Sequence, residues 1–257
     1  MIVGGRLSKA DQHLFRHNDL HHLRALLDRH RASHGHCLIV TDGVFSMDGD
    51  LAPVHELAAL AKEYDAWLMT DDAHGIGVVG AGGRGSTFAG GTKAEVDLQM
   101  GTLSKAVGGY GGYLCASKPV IDLMKTRCRT LVYSTGLPPA TVAAAIAALN
   151  IIESDPEYAS RPLKKAQRFT QRLGLPLAES PIVPILLGDA ARTMAAQKRL
   201  EDAGYLVVGI RPPTVPEGTA RLRLTFTAEH TDADIDKLAD LIAEKVLTGE
   251  EPFRASS

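Results

Sequence analysis

An α/β domain with a mostly parallel sheet, followed by a smaller C-terminal α+β domain, is what this 257-residue sequence predicts. Three features carry that prediction. Two short apolar runs, Cys37–Val40 (CLIV) and Ala66–Thr70 (AWLMT), flank a helical pattern, and each runs into a polar loop. Such strand–helix–strand alternation belongs to parallel sheets with crossover helices. A polar, proline-bearing stretch at Ser154–Pro162 (SDPEYASRP) then breaks the apolar periodicity and reads as a boundary, dividing the chain into 1–154 and 155–257. Beyond it, Ala220–Thr227 alternates strictly between apolar and polar residues, as a half-exposed strand does.

The elements follow in order. Leu20, Leu23, Leu26 and Leu27 recur at helical spacing up to about His30, behind Asn18 as a possible cap. Pro53 opens a helix with Val54, Leu57, Leu60 and Ala61 on one face, ending before Asp65. Leu98–Thr102 and Gly112–Ala116 are strand candidates around a glycine-rich segment, and Lys118–Arg127 and Pro139–Glu153 read as helices. In the C-terminal part come a helix near Leu163–Leu173, a strand at Ile182–Leu187, a helix over Ala191–Ala203, a strand at Leu206–Ile210 and a closing amphipathic helix, Asp232–Val246.

Composition excludes several function classes. A formal net charge of -2 argues against holding nucleic acid or anionic lipid by bulk charge. No apolar run approaches the ~20 residues needed to cross a bilayer. The first residues, MIVGGRLSKADQ, lack a basic-then-apolar signal, so a cytoplasmic protein is expected. Cys37, Cys115 and Cys128 are odd in number and widely spaced, and are expected to be reduced thiols, two of them acting as small hydrophobes in strands or helices.

Ligands of parallel α/β sheets gather at the carboxyl ends of strands. Three such ends are chemically loaded here: Asp42–Asp50 (DGVFSMDGD), Asp71–His74, and Thr102–Lys105 within MGTLSKAVGGYGGY. Carboxylate, imidazole, hydroxyls and one amine would converge on one crevice. That set suits a cofactor needing a lysine partner, an acid for a pyridinium nitrogen and donors for a phosphate. Asp71 leaves an apolar strand, where a carboxylate is costly unless paired; the alternative is that Asp71 or Asp72 caps the next turn and His74 is a loop residue. Lys105 stands among small residues and is expected to be an enclosed amine in a lined pocket, against the commoner fate of a surface lysine. In RLRLTFT, Arg221, Arg223, Thr225 and Thr227 share a face, and a solvated position is expected for Arg221.

TDDAHGIG, GTLSKAVGG, DGVFSMDGD, LVYSTGLPP and IRPPTVPEGTARLRLTFTAEH together make the chain resemble the α-oxoamine synthase family of fold-type I pyridoxal-phosphate enzymes, the last stretch being most similar to its 8-amino-7-oxononanoate-forming branch. The resemblance spans essentially the whole chain. It implies a fold-type I large domain with an incomplete sheet, pyridoxal 5'-phosphate as cofactor, and decarboxylative condensation of L-alanine with a pimeloyl thioester of coenzyme A or acyl carrier protein. Glycine- or serine-using relatives, or a non-catalytic remnant, are the alternatives. By the same resemblance Lys105 forms the internal aldimine and moves the substrate proton, Asp71 keeps the ring nitrogen protonated, and His74 bonds the ring's phenolic oxygen. Ser46 is a further cofactor contact and Thr102 binds the phosphate. Ser134 or Thr135 reaches the phosphate in the neighbouring subunit of a homodimer with shared active sites. Arg223 clamps the amino-acid carboxylate, as a bidentate guanidinium can, and Thr214 lines the acyl side. Family members begin well before the position matching Met1, with about a third of a typical chain preceding it. A fragment or a misjudged start is therefore expected, lacking the phosphate-binding glycine loop and the histidine that stacks on the ring.

Two other patterns are expected to be decoys. Gly80–Gly85 matches GxGxxG, but no apolar helical period follows it. His30, His34, His36 and Cys37 mimic a metal cluster but have no carboxylates in sequence beside them, so no metal is expected.

Overall fold

The computed structural model describes residues 2–247, so positions 248–257 of the predicted C-terminal domain lie outside the described residues. The chain divides into two compact units, Met1–Val44 with Leu51–Ser154, and Phe45–Asp50 with Asp155–Ser257. A single cut in the sequence does not describe this division, because the hexapeptide Phe45–Asp50, from the loop after the first strand, belongs to the second unit.

In the first unit, α1 (Ile2–Leu7) and α2 (Leu20–His30) precede β1 (Leu38–Asp42), α3 (Val54–Glu63), β2 (Trp67–Asp71), β3 (Leu98–Thr102) and β4 (Gly112–Ala116). Three helices follow: α4 (Lys118–Arg127), α5 (Arg129–Val132) and α6 (Pro139–Ser154). The strands form one sheet in the order β1-β2-β3-β4, parallel except for antiparallel β4. Asp19, not Asn18, caps α2 by accepting the His22 N–H at 2.8 Å; Asn18 has φ +52° and donates its amide to Leu51 O. The first two strands bury one face only. Ile39, Thr41, Leu68 and Thr70 are buried, whereas Leu38 and Trp67 on the other face are about half exposed.

The second unit contains α7 (Pro156–Arg172), β5 (Ile182–Gly188), α8 (Ala190–Asp202), β6 (Val208–Ile210), β7 (Ala220–Thr225) and α9 (Asp232–Lys245). Its antiparallel sheet has the order β5-β7-β6. The polar stretch Ser154–Pro162 holds the division between the units, after Ser154, and is itself mostly helix. Asp155 caps α7 through the Tyr158 N–H at 2.9 Å, and Pro156 opens it, where a missing N–H costs nothing. Phe169, Ile185, Leu200, Leu222 and Ile242 centre a contiguous core. Along its edge α7 and α9 are laced by Lys165–Asp232, bidentate Arg168–Asp236 and bidentate Arg172–Asp240 pairs.

All three cysteines are free; Cys115 lies on β4 but is exposed, and Cys37 and Cys128 are half-buried outside strands and helices. Among the described residues no helix is long and apolar enough to cross a membrane.

Candidate active site

Parallel pairing in register carries two identical strand endings side by side. β1 reads LIVTD and β2 reads WLMTD, so Thr41 faces Thr70 and Asp42 faces Asp71 across the ladder. Period-two alternation then puts Asp42 and Asp71 on one face of the sheet, with Asp72 on the other. On β3, Asp71 pairs with Met100, and Thr102 closes that strand on the Asp71 face.

Asp71 is half-buried, and its Oδ1 accepts the Ala73 N–H at 3.0 Å, leaving Oδ2 for a further donor. His74 is half-buried in the turn that follows, which is closed by the Gly75 and Ile76 N–H groups on Asp72 O. Burial first, and the neighbouring Asp71 carboxylate second, push the Asp42 carboxyl above its usual range; His17 and Lys105 pull it back. The Asp42 carboxyl thus feels both the acid and the amine that the sequence singled out. The sequence puts Asp42 at a chemically loaded strand end but gives it no role of its own. Hydropathy ends the first strand at Val40, whereas the hydrogen-bonded ladder runs on to Asp42; the shared Thr-Asp ending was the available signal.

Lys105 is exposed, not enclosed. The chain turns outward around it, with the Gly108 N–H on Lys105 O at 2.9 Å and the Gly109 N–H on Leu103 O at 2.6 Å. Thr102 Oγ1 bonds Ser104 Oγ at 2.7 Å and Gly111 O at 3.0 Å, so two hydroxyls sit together at this strand end. Ser134 and Thr135 lie in the same unit, exposed between α5 and α6, and Ser134 Oγ donates to Leu131 O at 3.0 Å. Among the described residues no hydrogen bond or ion pair joins either to Asp71, Thr102 or Lys105.

Asp72 has a structural role. It is fully buried and accepts the Ser86 N–H at 3.0 and 2.9 Å and the Gln99 amide at 3.0 Å. Three glycines leave room for its carboxylate: a Cβ at Gly43, Gly75 or Gly85 would come within 2.9, 2.0 or 1.8 Å of it. Within Gly80–Gly85, this packing accounts for Gly85, and the close approach to Gly85 O accounts for Gly80.

Ser46, Thr214 and Arg223 belong to the second unit. Ser46 is half-buried and its carbonyl accepts Arg223 Nε; Arg223 Nη1 reaches Thr225 Oγ1 at 3.2 Å. Burial holds the Arg223 guanidinium below its ordinary pKa, and among the described residues no carboxylate pairs with it. Thr214 is exposed, its N–H on Arg211 O at 3.1 Å. Arg221, expected to be solvated, is instead 5% exposed and pairs with Asp48, because the hexapeptide covers it.

Two concavities, of about 310 and 610 Å3, lie at the amino ends of β2 and β3 around Lys93 and Asp97, away from these strand ends. Among the described residues no group of three or more His, Cys, Asp or Glu could hold a metal ion. His34 instead bonds Asp11 Oδ2 at 2.9 Å, and His13 stacks on His30 at 3.8 Å.

A family model described as aminotransferase class I and II matches residues 1–242. A putative 8-amino-7-oxononanoate synthase of Parvibaculum lavamentivorans is 66% identical over 247 residues, covering 96% of this chain. The chain spans 64% of that relative's length. Among solved structures, serine palmitoyltransferase of Sphingomonas wittichii superposes with TM-score 0.88 at 33% identity, covering 94% of this chain and 62% of that one. The 8-amino-7-oxononanoate synthase of Francisella tularensis superposes with TM-score 0.80 at 27% identity, covering 96% and 72%.

Proposed function

Because the chain belongs to the aminotransferase class I and II family, we propose that it is a pyridoxal-phosphate-dependent acyltransferase of biotin biosynthesis. The net reaction joins L-alanine to a pimeloyl thioester, of coenzyme A or acyl carrier protein, and releases carbon dioxide and the thiol to leave 8-amino-7-oxononanoate. We place it in the cytoplasm as a homodimer with shared sites. The observation that carries the reading is the gathering of Asp42, Asp71 and Thr102 at adjacent strand ends on one face of the sheet, with Ser104 bonded to Thr102 and Lys105 next in the chain. Sequence identity of 66% to a relative named for this activity supports the choice of branch. The serine palmitoyltransferase likeness, at 33% identity, keeps a serine-using synthase as the second reading.

The residues present fit the cofactor. Asp71 Oδ2 would accept from a protonated ring nitrogen, and that cation would relieve a carboxylate otherwise set beside Asp42. His74 would hydrogen-bond the phenolic oxygen, and Thr102, Ser46 and, from a second subunit, Ser134 or Thr135 would supply donors to ring and phosphate. When bound, the cofactor contributes an aldehyde and an electron-withdrawing ring. Lys105 Nζ would be the amine that holds the cofactor, and it would take the alanine α-proton and return a proton to the product. Arg223, half-buried and without an acidic partner, holds the amino-acid carboxylate, and Thr214 borders the acyl chain.

The test begins with pyridoxal phosphate added to the purified protein. A visible absorption band is expected, together with a borohydride-stable mass increment on the Lys105 peptide. Both should vanish in Lys105→Ala. L-Alanine should perturb the band more than glycine or serine, and pimeloyl thioester should then give product. A band that survives Lys105→Ala, or none at all from folded protein, would reject the assignment; a preference for serine would select the second reading.

A further inference from the structure

Alternation along β7 sends Leu222 and Leu224 into the second unit's core and both arginines to the opposite face. An arginine on a strand face normally keeps its head in water. Arg221 does not, and a guanidinium taken out of water must have its donors matched. Its Nε donates to Thr219 O at 3.0 Å, and its Nη1 to Met47 O at 3.2 Å and to the Asp48 carboxylate. Two residues along, Arg223 Nε donates to Ser46 O. The two arginines therefore grip the carbonyls of consecutive residues in one hexapeptide.

That hexapeptide is shaped to be gripped. The Gly49 N–H bonds Phe45 O at 2.8 Å and the Phe45 N–H bonds Asp50 O at 3.0 Å, closing a tight turn. Gly49 has φ +76°, and a Cβ there would stand 2.1 Å from Ile182 O, so its backbone lies directly on the first residue of β5. The turn is pressed on β5 from one side and anchored to β7 by guanidinium groups.

We infer that Arg221 is a positioning residue: by pinning Met47 and Asp48 it fixes the Ser46 carbonyl, and that carbonyl fixes the plane of the Arg223 guanidinium. Arg223 then spends Nε and Nη1 on the protein and leaves Nη2 for a ligand carboxylate, already oriented. A fork held in this way loses little freedom on binding. The ligand's identity rests on the reading of Arg223 as the amino-acid clamp; the positioning itself does not.

The experiment follows the Arg223 Nε–H by hydrogen exchange in full-length protein with 15N-labelled arginine, with no cofactor or substrate added. Arg221→Met is expected to speed that exchange about tenfold or more, as the loss of a charge-assisted bond in the anchor should, while backbone amides of β5 and β7 stay protected. Arg221→Lys should fall between, since a point charge reaches Asp48 but not three acceptors at once. If Arg221→Met fails to fold, Asp48→Asn, which keeps both carbonyl contacts, should show a smaller rise in the same direction. Unchanged Arg223 Nε–H exchange in the folded variants would overturn the inference, as would full protection in Arg221→Lys. Because no cofactor is present, a failed pyridoxal-phosphate titration would remove only the name of the ligand.

Discussion

The two units treat apolar surface in opposite ways. The second packs Ala166, Phe169, Ile185, Leu200, Leu222, Phe226, Ala239 and Ile242 into one core, and its α7–α9 edge is closed by ion pairs. In the first, α6 reads PATVAAAIAALNIIES, apolar around its whole circumference, yet only Ala145 is buried while Ile146 and Ile151 are more than half exposed. Leu131, Val132 and Tyr133 of the preceding segment are exposed as well. A helix of that composition normally lies inside a protein or against another chain. The second unit is thus built to satisfy itself, and the first concentrates its chemistry at three strand ends while leaving a face uncovered.

A pair of truncations should separate the two units most widely. Phe169→Ala removes a fully buried ring and is expected to cost about 3–5 kcal/mol in equilibrium urea unfolding. Ile146→Ala should stay within about 0.5 kcal/mol, the usual range for an exposed position. An equal loss from both would mean that α6 is covered in solution and that the contrast belongs to the isolated chain alone.

A second prediction sharpens the contrast from inside the first unit, whose strand ends are not uniformly loose. Asp72→Ala removes the acceptor for the Ser86 N–H and the Gln99 amide and leaves a buried and a half-buried donor unpaired. The expected loss is about 3 kcal/mol, with faster proteolysis between Gly75 and Ser86. A neutral Asp72→Ala would show that the glycine loop is held by other contacts.

These contrasts also set what the sequence could reveal. Strands were legible where burial made them apolar, so β2 and β3 came out within a residue of their observed limits. β1 runs two residues past the end of its apolar stretch, because backbone pairing, unlike hydropathy, continues through Thr41 and Asp42. That shortfall hid the neighbour of Asp71. The α7 start read only as a boundary because Asp155 and Pro156, good helix-opening residues, also look like a break; the units do divide there, after Ser154. Arg221 was illegible for a different reason: alternation assigns its side of β7 but not what covers it, and its carboxylate partner lies 173 positions away. Asp71, Asp72 and His74 needed only local sequence, and their neighbourhood was predicted; the exposure of Lys105 depends on how the loop turns, which glycines leave open.

The smallest effect concerns the sign of pH dependence, which should differ between the units. In the second unit the carboxyls of Asp236 and Asp240 are held below their ordinary range by hydrogen bonds from Arg168 and Arg172, and that of Asp232 by Lys165. Their contributions are present above the unfolded pKa and fade as pH falls through the folded one. Asp42 runs the other way. Burial and Asp71 raise it, so its ionisation is harder in the folded chain, and wild-type stability drops as pH climbs from about 4, the ordinary carboxyl value, through the raised one. Asp42→Asn should therefore raise the melting temperature at neutral pH, on the order of the 2–4 °C that 1 kcal/mol makes in a domain of 150–250 residues. The gain should vanish near pH 4, where both residues are uncharged. It should grow in a Lys105→Ala background, because the ammonium that now relieves Asp42 is gone. Melting curves from pH 4 to 8 decide it: a gain independent of pH, or one unchanged by Lys105→Ala, would mean that the amine and the two acids do not share a field.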